Sequence, residues 1–224
     1  MHFVILVEDE SGKKFLDVIL PKIINPKHSF KFVPYKGIGR IPRKGDLVSV
    51  TTASDKLLND LPLILAAYGK NKLWKTGENN GAVIVVCDLD NKCLKQFRKE
   101  LLSVLNECNP PPETRFCIAV EEMEAWLLGD TVAIKKAFPK TKNAVLDAYT
   151  NDSICDTWEK LADAVYQGGS NALKPLGYQA IGFEKSKWAE KITSHMNIDQ
   201  NKSPSFNYFV RKIREITSNA TGIN

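Results

Sequence analysis

The chain has no Cys-x-x-Cys pair, no apolar run of membrane-spanning length, no internal repeat and no low-complexity segment. Its five cysteines, Cys87, Cys93, Cys108, Cys117 and Cys155, are an odd set. They suggest neither a disulfide framework nor a zinc knuckle and read as reduced packing residues, since a small thiol behaves as an apolar side chain. The opening stretch MHFVILVEDESGKKF has no basic leader, and acids cut its apolar run short. It does not read as a secretion signal, and a cytoplasmic protein without a membrane partner is expected. Two phosphate-binding signatures are also missing, because neither GxxxxGK[ST] nor GxGxxG occurs.

Apolar residues make up 43% and charged residues 25% of the 224 positions. That is the balance of a folded globular chain, long enough to bury most of its apolar surface without staples. The net charge of +5 permits nucleic-acid binding without arguing for it, because clustering of charge matters more than the total.

Phe3–Val7 is a wholly apolar, β-branched run, the mark of a strand buried on both faces. Ser11 is a candidate cap for a helix carrying Phe15, Leu16, Ile19, Leu20 and Ile23. Residues 29–35 read as a strand near an edge, because of Pro34. A helix follows from Leu57 to Gly69, then the most strand-like run, AVIVVC at 82–87. Residues 94–105 are an amphipathic helix, 116–120 a further strand, and 121–128 a helix ended by Gly129. Strands alternating with helices predict an α/β fold with a parallel sheet flanked by helices. Beyond about residue 130 the strand signal fades, and helices are expected near 132–137, 156–165, 184–196 and 205–217. This gives an α/β core over 1–130 and a helical extension over 131–224.

Glu8 directly follows the first strand, and Asp88 and Asp90 follow the third. In a parallel sheet all carboxyl ends share one edge, where ligands bind. Two positions apart in extended backbone, Asp88 and Asp90 point to the same side. Glu121 follows the fourth strand, with Glu124 one helical turn on. Carboxylates gathered at one edge repel unless a cation neutralises them, and an oxygen-only set suits Mg²⁺ or Mn²⁺. Such ions bind phosphate oxygens and activate water. Taken singly, each acid is explained as well by helix capping. The pair ILVEDE and VVCDLD also looks like a phosphoacceptor receiver domain, but the two lie too far apart, and no Lys-Pro follows a fifth strand.

Glu8 with Asp88 and Asp90 resembles the Toprim domain of topoisomerases, primases, small RNases and overcoming-lysogenization-defect nucleases. The resemblance implies that these three are metal ligands and catalytic acids. The segments ILVEDESGKKFLDVILPKI, PYKGIGRIP, VVCDLDNKCLKQFRKELL, ETRFCIAVEEMEAWLLGD, TWEKLADAVY and EKSKWAEKITSHMNIDQNKSPSF are similar to an uncharacterised bacterial Toprim-like family carried as a domain of unknown function. Members are often encoded beside an ABC- or SMC-type ATPase. By analogy, this implies a nuclease acting with an ATPase in phage defence or nucleic-acid processing. One departure is that Glu8 is followed by Asp9 and Glu10 rather than by glycine.

The segment KGIGRIPRK follows the second strand and places Lys36, Arg40, Arg43 and Lys44 on or near the acidic edge. It reads as a solvated loop or as a holder of nucleic-acid phosphates. Trp126 reads as core packing, with base stacking as the alternative. His195 ends a helix and reads as structural, with a phosphate role as the alternative. Lys185, Lys187, Lys191, Lys202, Arg211, Lys212 and Arg214 make the C-terminal region basic, which is usually a solvated face, with a track for a strand of nucleic acid as the alternative. The function expected is a Mg²⁺- or Mn²⁺-dependent nuclease. In that reading Glu8, Asp88 and Asp90 are catalytic, Glu121 and Glu124 help to hold metal, and Lys36, Arg40, Arg43 and Lys44 bind nucleic acid. The alternatives are a non-catalytic metal- or nucleic-acid-binding subunit of an ATPase assembly, or another phosphoryl-transfer enzyme.

Overall fold

The structure, a computed structural model, describes residues 1–43, 55–71, 74, 80–153 and 156–219. Lys44 and Cys155 lie outside the described residues. Four strands form one all-parallel sheet: β1 (His2–Val7), β2 (Ser29–Pro34), β3 (Gly81–Asp88) and β4 (Thr114–Ala119), in the order β2-β1-β3-β4. The strands read as central by composition are central in space. Every residue of β1 from Phe3 to Val7 is buried, as is β3 from Gly81 to Cys87. β2, which ends in Pro34, lies at an edge, where a missing N–H costs no ladder bond.

Three helices connect the strands: α1 (Glu10–Ile23), α2 (Leu57–Lys70) and α3 (Leu94–Asn106). The cap of α1 is Asp9 rather than Ser11. Asp9 has the extended backbone that a cap needs, and its Oδ1 accepts the Gly12 N–H at 2.7 Å. The Ser11 hydroxyl donates to Asp9 Oδ2 at 2.7 Å.

Side chains alternate across the sheet and divide the core in two. Phe3, Ile5, Val7, Ala82, Ile84, Val86, Cys117 and Ala119 face one cluster. Val4, Leu6, Val83, Val85, Cys87, Phe116 and Ile118 face the other, beneath α2 and α3. Each fully buried Val, Leu, Ile or Phe among them contributes about 1.5–3 kcal/mol, so the alternation fixes the register of all four strands.

The first cluster is roofed by α1 together with seven helices from the rest of the chain. These are α4 (Glu124–Leu128), α5 (Thr131–Ala137), α6 (Asn143–Asp147), α7 (Thr157–Val165), α8 (Gly169–Leu173), α9 (Tyr178–His195) and α10 (Pro204–Asn219). The helices expected near 132, 156, 184 and 205 are present. α6 and α8 have five residues each, too short for a periodic pattern to mark them. α9 starts at Tyr178 rather than Glu184, because its first turns expose Tyr178 and Phe183 and so hide the amphipathic signal. Trp126 is wholly buried, and its indole N–H donates to the Ser205 hydroxyl at 2.8 Å. The rings of Phe15, Phe206 and Phe209 pack on it at 5.6, 5.7 and 5.1 Å, tying α1, α4 and α10 together. Its role is packing, as its apolar flanks indicate.

Candidate metal centre

From β1 the chain lays β2 on one side, then passes back over β1 to lay β3 on the other. The strand order reverses between β1 and β3, and at such a point the carboxyl ends of parallel strands leave a crevice. Glu8 stands one residue past β1 and Asp88 ends β3. Glu8 Oε2 accepts the Asp88 backbone N–H at 3.0 Å, so the acids of the first and third strands meet in that crevice.

Asp88 continues the face of Ala82, Ile84 and Val86, which looks into the core cluster that Trp188, Ala189 and Ile192 of α9 also join. The alternation thus delivers its carboxyl to a residue that sequence reading places on a solvated basic face, Lys185. The Lys185 side chain is only 16% exposed. Its Nζ lies 3.0 Å from Glu124 Oε2 and 3.7 Å from Glu122 Oε1. Burial by itself would lower its pKa, but Glu124, Glu122 and Asp88 together outweigh burial and raise it, so the ammonium stays charged. Only a sequence signal linking Trp188 and Ile192, both buried on α9, to a face that also holds Lys185 could have found it.

Desolvation acts on the acids in the opposite direction. It raises the pKa of Glu8 to about 7, helped by Asp90 and Asp9 and opposed by the Asp88 N–H. It raises Glu124 to about 7 against the pull of Lys185. Asp88 is pushed well above the usual carboxylate range, first by burial and then by the charge of Glu8. Glu8, Asp9, Asp88, Asp90, Glu122 and Glu124 act on one another here. The cations among them are Lys92 and Lys185.

Three details depart from expectation. Asp90 is not extended: its φ is 51, it is exposed, and its carboxylate pairs with Lys92 Nζ at 2.8 Å. The chain turns there because the Asp90 N–H donates to the Glu121 carbonyl at 2.8 Å. Glu121 is buried but precedes the helix, with φ of 73, so it does not share a helical face with Glu124. Glu122, for which the sequence suggests only a helix-terminus role, accepts the Trp158 N–H at 3.2 Å and holds the start of α7.

Among the described residues, no three His, Cys, Asp or Glu side chains form a group already spaced to hold a metal ion. Lys92 draws Asp90 away, and Lys185 draws Glu124. The donor chemistry nonetheless fits a hard divalent cation. It is all oxygen, it is desolvated, and it carries more acids than the two lysines balance. Glu8 and Asp88 are the residues best placed to hold such an ion.

The basic loop lies beside these acids. The Gly37 N–H donates to the Glu8 carbonyl at 2.9 Å, with Gly37 at φ 118, where a side chain would be strained. The carbonyls of Gly37 and Ile38 accept from Leu57 and Leu58 and so cap α2. Lys36 Nζ is exposed and pairs with Asp55 at 2.8 Å, and the Arg40 N–H donates to Asn59 Oδ1 at 2.9 Å. His195 is exposed at the end of α9, and Asp199 nearby pairs with Arg214 rather than with it.

Among the described residues, no helix is long and apolar enough to cross a membrane. No curated protein and no solved structure matches the chain. A family described as Domain of unknown function (DUF4276) matches residues 7–214, from the end of β1 into α10 and across the whole crevice, and the chain belongs to that family.

Proposed function

We propose that the chain is a divalent-metal-dependent nuclease of the Toprim type that hydrolyses phosphodiesters in the crevice between β1 and β3. The observation that carries this reading is the meeting of Glu8 with Asp88 at the point where the strand order reverses. Glu8 and Asp88 would hold Mg²⁺ or Mn²⁺, with Asp90, Glu121 and Glu124 as further acids once their present partners yield. A cation bound there stabilises charge on phosphoryl oxygens and lowers the pKa of water. The Asp88 N–H fixes the orientation of Glu8, and Lys185 keeps a positive charge facing Asp88. Lys36, Arg40 and Arg43 lie on the loop anchored to the Glu8 carbonyl, where they would meet phosphates on either side of the one being cut. The partner proposed is an ABC- or SMC-type ATPase in phage defence or nucleic-acid processing, a part supported by the family resemblance alone.

One observation favours the second reading, a non-catalytic metal- or nucleic-acid-binding subunit. Lys185 already neutralises acids that a second metal ion would need. Cleavage assays on DNA and RNA with Mg²⁺ or Mn²⁺, with and without the ATPase, separate the two. Cutting by the wild type but not by Asp88→Asn supports the nuclease. No cutting under any condition, with Mn²⁺ still bound, supports the subunit. Equal Mn²⁺ binding by the wild type and an Asp88→Ala/Asp90→Ala double variant would remove the metal site from both.

A further inference from the structure

On the β4 side of the acidic crevice the surface opens into a cavity of about 370 Å³. Its walls are Leu94 at the start of α3 and Phe116, Ile118 and Val120 along the edge strand. Tyr208 of α10 faces them across the opening, with Arg98 and Asn151 at its sides. The cavity adjoins the acids along the chain at two points. Val120 directly precedes Glu121, and Leu94 begins the helix that follows Asp90.

Three features describe what would fit. The Tyr208 ring has the Arg98 guanidinium 5.3 Å from its centre, with Arg211 and Lys212 at 5.5 and 5.6 Å. Arg211 and Lys212 are already committed to Glu215. Arg98 is exposed and pairs with no carboxylate among the described residues, so it has charge to offer an anion. The Asn151 side-chain oxygen is buried and, among the described residues, has no hydrogen-bond partner. A buried acceptor without a donor is unfavourable, so the side chain gains by turning its oxygen toward a ligand that bears an N–H group. Asp152, the one acid in the lining, is occupied by the Ser205 N–H at 2.6 Å and the Ser203 hydroxyl at 2.9 Å.

We propose that this cavity binds one unpaired nucleobase of a single strand whose backbone runs on into the acidic crevice. An apolar slot with an aromatic ring, an orphan acceptor and an unpaired arginine matches the π-face, N–H edge and phosphate of a nucleotide. The volume lies near the lower end of the range for small-molecule sites, about 300–1,000 Å³, which suits one base and its sugar rather than a base pair. The base slides against the Tyr208 ring, and Arg98 turns from the ring to the adjoining phosphate. The proposal rests on the nuclease reading and gives it a preference for unpaired strands.

The test is binding in EDTA, measured by fluorescence anisotropy with a short labelled single strand, the blunt duplex of the same sequence, and a mononucleotide as competitor. The wild type should hold the single strand at least about 10-fold tighter than the duplex. Tyr208→Ala should lose about 10-fold, the scale of one lost base stack, and Tyr208→Phe, which restores the ring, should recover it. Arg98→Ala sits on an exposed helix surface where folding is not at stake. It should weaken binding several-fold and flatten the salt dependence. The proposal is overturned if the duplex binds as well as the single strand, or if Tyr208→Ala and Arg98→Ala both bind like the wild type. It is likewise overturned if the mononucleotide competes as well as the strand, because the cavity would then serve free nucleotides. Binding in EDTA involves neither metal nor cleavage, so this result and the Mn²⁺ test of the crevice fail independently.

Discussion

The two ends of the same sheet differ in how their charges are met. At the amino end a cavity of about 430 Å³ is lined by Met1, Tyr68, Trp74, Gly81, Pro112 and Arg115. Charges there are paired. Arg115 pairs with Glu113, the terminal ammonium of Met1 bonds to His28 Nδ1 at 3.0 Å, and Tyr68 stacks on Trp74 at 4.4 Å. At the carboxyl end, Glu8, Asp88 and Glu124 are each held above their usual pKa by burial. The amino end has a hollow and paired charges, while the carboxyl end stores repulsion that a cation would relieve. Under the nuclease reading, unmet charge marks the site better than concavity does.

The difference between the two ends should show most strongly at Asp88. In a cleavage assay, Asp88→Asn should cost about 10²–10³-fold or more in turnover, the scale of losing one electrostatic contact to developing charge, with circular dichroism unchanged. Wild-type cleavage by that variant would move the site elsewhere. Lys185→Met should come next, because it leaves the buried Glu124 and the half-buried Glu122 without their cation. Breaking such a pair costs about 3–5 kcal/mol, read by urea unfolding. The loss should be smaller at pH 5, where Glu124 takes up a proton, and an equal loss at pH 5 and pH 8 would count against the pairing.

Glu8 and Glu124 also set a pH dependence. Their folded pKa of about 7 lies above the ordinary value of 4.5, so the folded state binds protons more tightly than the unfolded chain. Their contribution to stability is complete below about pH 4.5 and is lost as pH rises through about 7. Unfolding of the metal-free protein across that window should show this decline, and added Mn²⁺ should flatten it. A steady rise in stability from pH 5 to 8 without metal would contradict the picture. The smallest effect belongs to the amino end. Arg115→Ala breaks a partly exposed pair worth under about 1 kcal/mol and should leave cleavage untouched, and a tenfold loss of cleavage would mean that this end takes part after all.

What could be read in advance followed the physics of each signal. Glu8 and Asp88 were legible because acids directly ending apolar strands must gather at one edge of a parallel sheet. The edge position of β2 was legible in Pro34. Lys185 was not, because on a helix rich in lysine its ammonium reads as solvated unless its spacing to Trp188 and Ile192 is recognised as a buried face. The partners that decide it, Glu124 first and then Glu122, lie in a distant part of the chain. The turn at Asp90 was hidden for a related reason. Its φ of 51 is imposed by the bond to the Glu121 carbonyl, and no glycine or proline marks it. Tyr208 reads as one aromatic among the apolar residues of α10, and only the fold sets it opposite Phe116 and Ile118.

The most direct test of the central claim is thermal unfolding of the wild type and Asp88→Asn at pH 8, each with EDTA and with Mn²⁺. Removing a desolvated carboxyl should raise the midpoint of the metal-free variant by about 2–4 °C, the shift expected for about 1 kcal/mol in a chain of this size. Mn²⁺ should raise the wild type clearly and the variant little. An equal Mn²⁺ shift in both proteins would contradict the assignment of the crevice as the metal centre.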